Sequence, residues 1–65
     1  MKLSYFQETD TLLIEFRSTA VFETKDMDEN TLLDLDAEGN ILAITIEHAS
    51  ERTDVHQLTL SGIAA

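Results

Sequence analysis

The chain has no cysteine, so neither a disulfide nor a thiolate-bound metal can brace it, and a reducing compartment suits it. It has no proline, no low-complexity segment and no internal repeat, and therefore no sign of a linker between domains. Glycine occurs only at Gly39 and Gly62, too sparsely for a phosphate-cradling loop, and Ser4, Ser18, Ser50 and Ser61 all lack the paired glycines of a nucleophile elbow. Basic residues are scarce and scattered, at Lys2, Arg17, Lys25 and Arg52, which disfavours direct binding to nucleic acid or an anionic membrane because phosphate neutralisation needs clustered cations. Long apolar runs are also missing. The longest, Ile41 to Ile46, is broken by Thr45 and falls far short of the roughly 20 residues of a membrane span. Met1-Lys2 leads straight into an alternating pattern instead of a secretory apolar core, so a cytoplasmic protein is expected.

What the chain does have is acid. Thirteen Asp and Glu against four Lys and Arg give a formal net charge of −9 over 65 residues. Such a surface favours solubility, and it also suits contact with a basic protein. The length fits one small domain, 1–65, and at this size only about 60% of the unfolded surface can be buried, so dimerisation would be a natural supplement to a thin core.

Residues 3 to 6 and 12 to 16 alternate, with Leu3 and Tyr5, then Leu12, Ile14 and Phe16, on one side. The polar tract Gln7 to Thr11 between them has hairpin-loop chemistry, with Asp10 placed to accept from neighbouring backbone amides. A third strand is predicted over about 20 to 25 from the alternation of Ala20, Phe22 and Thr24, and Asp26 to Asn30 then turns the chain. The fourth strand, Thr31 to Asp36, and the fifth, Ile41 to Glu47, flank Asp36-Ala37-Glu38-Gly39-Asn40, where Gly39 can adopt positive φ without a Cβ penalty. The fifth strand is apolar on both faces and should be central. After Ser50 a helical turn capped by Asp54 is expected, then a last short strand at Leu58-Thr59-Leu60. The predicted fold class is α+β, mostly β: an antiparallel β-meander of about five strands with one short C-terminal helical turn and a further short strand. Its expected core is Leu3, Tyr5, Leu12, Ile14, Phe16, Phe22, Leu33, Leu35, Leu42, Ile44 and Ile46.

Asp34, Asp36 and Glu38 occupy the first, third and fifth positions of an EF-hand-like spacing, with Gly39 sixth. Thr45 stands where a bidentate glutamate would close such a site, and strands replace the flanking helices, so the hairpin reading wins and the three acids remain weak metal candidates. His48 and His56, with Glu47, Glu51 and Asp54 nearby, lack the ligand spacing of a zinc site. No cofactor, no catalytic residue and no enzyme activity is expected.

Leu3-Ser4-Tyr5, Asp10 with Leu12-Leu13-Ile14-Glu15-Phe16, Glu23-Thr24, Asp34 to Ile41, and Ile46-Glu47-His48-Ala49-Ser50-Glu51-Arg52 together resemble the small bacterial and archaeal family termed domain of unknown function (DUF) 2283, over roughly residues 1–52. The chain differs from the family's usual pattern at Phe6, Ala43 and Thr45. The resemblance implies a compact β-rich fold and supplies no catalytic residues. The function expected from the residues is a non-enzymatic protein-interaction module. It either self-associates as a homodimer or binds a basic partner in the manner of an antitoxin, through Glu23, Asp26, Asp28, Glu29, Asp34, Asp36 and Glu38. The alternative is a ligand- or metal-binding accessory protein that uses the acidic turn 34–40 or His48 and His56.

Overall fold

Two stretches of alternating residues joined by short polar turns form hairpins, and a computed structural model, which describes residues 1–53, arranges them in one antiparallel sheet. The strands are β1 (Lys2–Phe6), β2 (Thr11–Glu15), β3 (Glu23–Asp28), β4 (Thr31–Leu35) and β5 (Ile41–Ile46), and one helical turn, α1 (Ala49–Arg52), follows. The mostly β class and the short helical turn agree with the sequence. α1 lies wholly ahead of Asp54, whereas the turn expected from the sequence follows that residue; the Asp54 cap, the turn behind it and the strand at Leu58–Leu60 lie outside the described residues. No helix among the described residues is long and apolar enough to cross a membrane.

The strand order is β1-β2-β5-β4-β3, and it departs from a simple meander at one connection. β1–β2, β3–β4 and β4–β5 are hairpins, but residues 16–22 carry the chain from β2 past β5 and β4 to the far edge. Composition explains the departure. β3 reads Glu-Thr-Lys-Asp-Met-Asp and is exposed at every residue, so it is tolerated at an edge. β5 carries apolar side chains on both faces and gains most from two neighbours, so it takes the centre. The crossing is anchored at both ends: Phe16 and Arg17 both donate their amides to the Leu42 carbonyl, at 2.7 and 3.2 Å, and Phe22 donates to the Leu35 carbonyl at 2.8 Å.

The third strand therefore starts later than Ala20 and ends later than Lys25. Its turn shrinks to Glu29-Asn30 because Asp28 pairs with Thr31, and the Asp28 carboxylate accepts the Asn30 amide at 2.8 Å. A register shift between Asp26 and Asp28 leaves Met27 as the extra residue of β3, and another, where Asp34 and Leu35 face Ala43 and Ile41, leaves Leu42 as the extra residue of β5.

Cross-strand register puts Leu3 beside Ile14, Tyr5 beside Leu12, and both Ile14 and Leu33 beside Ile44, so the expected apolar set does share one face. The opposite face carries Ser4, Leu13, Glu15, Leu32, Asp34, Ala43 and Thr45. Burial is concentrated at the middle: Leu42 is only 1% exposed and Leu12 is also buried, whereas Tyr5, Ile14, Leu33, Leu35, Ile44 and Ile46 are half-buried. Leu3, Phe16 and Phe22 were expected in the core and are exposed, Phe22 to 72%. Leu3 lies on an edge strand, and Phe16 and Phe22 stand at the two ends of the crossing, where the sheet offers fewer neighbours. Ala43 and Ala49 are buried instead, small side chains that apolar periodicity weights too lightly.

The β4–β5 turn follows the predicted chemistry. Gly39 has φ +86° with nothing within 4 Å of a Cβ built on it, so any cost of substitution there is conformational, not steric crowding. Gly39→Val should lower stability by about 1 kcal/mol or more in urea denaturation, with Gly39→Asn closer to wild type. Equal midpoints for Val and Gly would show that the turn tolerates negative φ.

Candidate functional site

The end of β5 is where the two halves of the sheet are tied together. Glu47 donates its amide to the Asn30 carbonyl at 2.7 Å, holding the β3–β4 turn, and Ala49 donates to the Asp10 carbonyl at 2.9 Å, holding the β1–β2 turn. His48, between them, takes the left-handed conformation at φ 53°, which turns the chain sharply into α1. Ala49, 0% exposed, fits the space beneath because it has no side chain beyond Cβ.

Asp10 is the centre of this clasp. Its own backbone is left-handed at φ 54°, a conformation that Asp accepts better than most residues. One carboxylate oxygen accepts from the Tyr5 hydroxyl and from the Ser50 amide, the latter at 3.1 Å, and the other accepts from the Ser50 hydroxyl at 2.7 Å. The sequence pointed Asp10 at neighbouring amides, but its partners include a residue 40 positions away. It caps α1 in place of His48, which makes no side-chain capping bond. On the other side Arg52 reaches Asp28 with both terminal guanidinium nitrogens, Nη1 and Nη2, at 3.4 and 3.2 Å, and Nη1 also donates to the Thr31 hydroxyl at 2.6 Å.

These bonds set the proton affinities. Donation by Tyr5 and then by Ser50 holds the Asp10 carboxyl below its ordinary value, and acceptance of that bond keeps the Tyr5 hydroxyl above its own. The Asn30 amide, followed by Thr31 and Arg52, lowers Asp28. Asn40 lowers Asp36 through its side chain and its amide, with the Glu38 amide adding to them.

The acids singled out from the sequence fall in separate settings. Asp36 accepts the Glu38 and Asn40 amides, each at 2.9 Å, and the Asn40 side chain at 3.1 Å, so it organises the turn. Asp34 accepts from the Thr24 hydroxyl at 2.7 Å across the β3–β4 pair. Glu38 is exposed at the tip. Glu23 and Asp26 are exposed on β3, and Glu29 is exposed in the turn that follows. His56 lies outside the described residues.

One set of ligand atoms among the described residues is close enough to share an ion, Asp10, His48 and Glu51, within 4.8 Å of one another; the sequence grouped His48 with Glu51 and did not include Asp10. His48 Nδ1 and Glu51 Oε2 are 3.5 Å apart, both side chains are largely exposed, and the Asp10 oxygens already accept three hydrogen bonds. Local sequence could not reveal it, because Asp10 joins His48 only through the β1–β2 turn.

The fold and clasp define a small single-sheet β domain closed by a helical turn. The family model described as "Protein of unknown function (DUF2283)" matches residues 2–50, and the chain belongs to that family. Comparison with curated proteins and with solved structures finds no match.

The lowered carboxyl values have a definite sign. An unfolded Asp titrates near about 3.9, and Asp10, Asp28 and Asp36 titrate lower in the folded chain, so below that value the unfolded state binds more protons. Their contribution is complete above the unfolded value and is lost as pH falls through the folded ones. The melting temperature should therefore fall below about pH 4. Asp10→Asn should lower it by several degrees at pH 7, because one of the two accepting oxygens becomes an NH2 donor, and should flatten the acid limb, because Asn does not titrate. A wild-type acid limb retained in Asp10→Asn would remove Asp10 from this account.

Proposed function

We propose that this domain is a non-enzymatic protein-interaction module whose acidic half engages a basic partner. The observation that carries this reading is the segregation of charge. Between residues 23 and 38 there are seven acids and one lysine, and this stretch is one continuous unit, β3, β4 and the turn to β5. Glu23, Asp26 and Asp28 lie along an edge strand exposed at every residue and carry charge to both faces of it, Glu29 follows in the turn, and Asp34 stands beside Thr24 on the neighbouring strand.

Some of these acids also build the fold, since Asp28, Asp34 and Asp36 accept hydrogen bonds from their own surroundings. A carboxylate held by backbone amides keeps its charge and loses little further freedom when a cation approaches, which favours docking of a preformed acidic surface. Opposed charge would speed encounter and make binding strongly salt-dependent. An antitoxin-like role, covering the positive groove of a basic RNA-handling protein, is the most concrete form of this reading.

A second reading, a cation held by Asp10, His48 and Glu51, draws on their proximity. A native mass spectrum with and without divalent ions separates the two, because it reports bound ion and bound protein together.

The interaction reading is tested by capture on the immobilised domain, comparing wild type with the triple variant Glu23→Gln, Asp26→Asn, Glu29→Gln, which leaves the turn-forming Asp28 and Asp36 intact. A basic protein should be retained by wild type, released by salt and lost from the variant. Retention that is indifferent to both the substitutions and salt would sink the proposal.

A further inference from the structure

The two edges of the sheet are built differently. β3 carries four charged residues in six and a register shift, the devices by which edge strands resist pairing with another chain. β1 reads Lys-Leu-Ser-Tyr-Phe, has one charge at its first residue, pairs with β2 without a register shift, and has no second strand partner among the described residues. It also leaves apolar surface in water, with Phe6 50% and Leu3 38% exposed.

We infer that β1 is a self-association edge, where a second copy of this chain adds its own β1 antiparallel across a two-fold axis and joins two sheets into one. Complete overlap of two copies puts Ser4 opposite Ser4, Leu3 opposite Tyr5 and Lys2 opposite Phe6. Facing residues then differ by an even number of positions, as the alternating antiparallel pattern requires of identical strands. Each of these pairs is acceptable. Leu3 and Tyr5 belong to the apolar face with Ile14 and Leu12, so that face would continue across both copies. Lys2 and Phe6 share the other face, where an ammonium over a ring is favourable. No acid meets an acid.

Long-range charge selects the same edge. The acid-rich segment 23–38 includes β3 and β4, at the opposite side of the sheet order from β1. Two chains of net charge −9 that join through β1 keep those segments as far apart as the sheet allows, whereas joining through β3 would set them together. This inference does not depend on the acidic partner surface, which a β1-linked dimer leaves free on both outer edges.

The experiment is sedimentation of the full chain over a concentration series, with amide hydrogen exchange at low and high concentration. Wild type should form dimers, and those amides of residues 2–6 that face away from β2 should slow as concentration rises. Ser4→Lys, which sets two ammonium groups opposite each other, should weaken the dimer by about tenfold or more, while Met27→Lys, the same charge added to β3, should leave it formed. A monomer at every concentration, or a dimer indifferent to Ser4→Lys, would overturn the inference. So would outward-facing β1 amides, those not bonded to β2, that are already slow in dilute monomer, since the edge would then be occupied within one chain. The exchange experiment uses wild type, so the test survives even a poorly folded Ser4→Lys chain.

Discussion

A strand with apolar side chains on both faces is costly to leave at the rim of a sheet, because one flank of backbone and part of two apolar rows stay in water. β5 is such a strand, and the rest of the structure is arranged around giving it two partners. β2 pairs with it on one side and β4 on the other, Leu42 and Ala43 become buried on opposite faces, and the chain must then cross from β2 to the far edge before returning. Burying a side chain such as Leu42 is worth about 1.5–3 kcal/mol, a large share of what a domain of this size can muster.

Inserting β5 between two hairpins creates a second requirement, since each hairpin could otherwise move against it. The chain meets this where β5 ends. Backbone amides of Glu47 and Ala49 reach the two hairpin turns, and the side chains of Asp10 and Arg52 secure α1 to the same places. Charge performs a structural task here. Hydrogen-bond donors lower the proton affinity of Asp10 and Asp28, so part of the chain's acidity serves its folding.

Much of the fold was legible, and the gaps have particular causes. The hairpin around Gly39 could be read because its signals lie within a few residues: an aspartate that accepts turn amides and a glycine at positive φ. The central place of β5 was readable from its two apolar faces, yet it conflicts with a meander that ends on β5, and the charged composition of β3 would have resolved that conflict in favour of the observed order. Phe22 misled because alternation reports which side a residue takes and says nothing of whether anything covers it there. The clasp was not legible. Asp10 and Ser50 are 40 residues apart, and neither residue type has a spacing that announces the other.

By itself, the sequence determined the acidic character, the strands, the β4–β5 turn and membership of a family to which the pattern at residues 2–50 points. These are properties of composition and of neighbours a few positions apart, where hydrophobic period and turn chemistry act locally. Tertiary structure decided the position of β5, the left-handed Asp10 that caps a distant helical turn, the grouping of Asp10, His48 and Glu51, and the contrast between a guarded and an open edge. Each of those depends on which strand lies beside which. That choice follows from burying the most apolar strand first, a global competition among strands that no local window of residues contains.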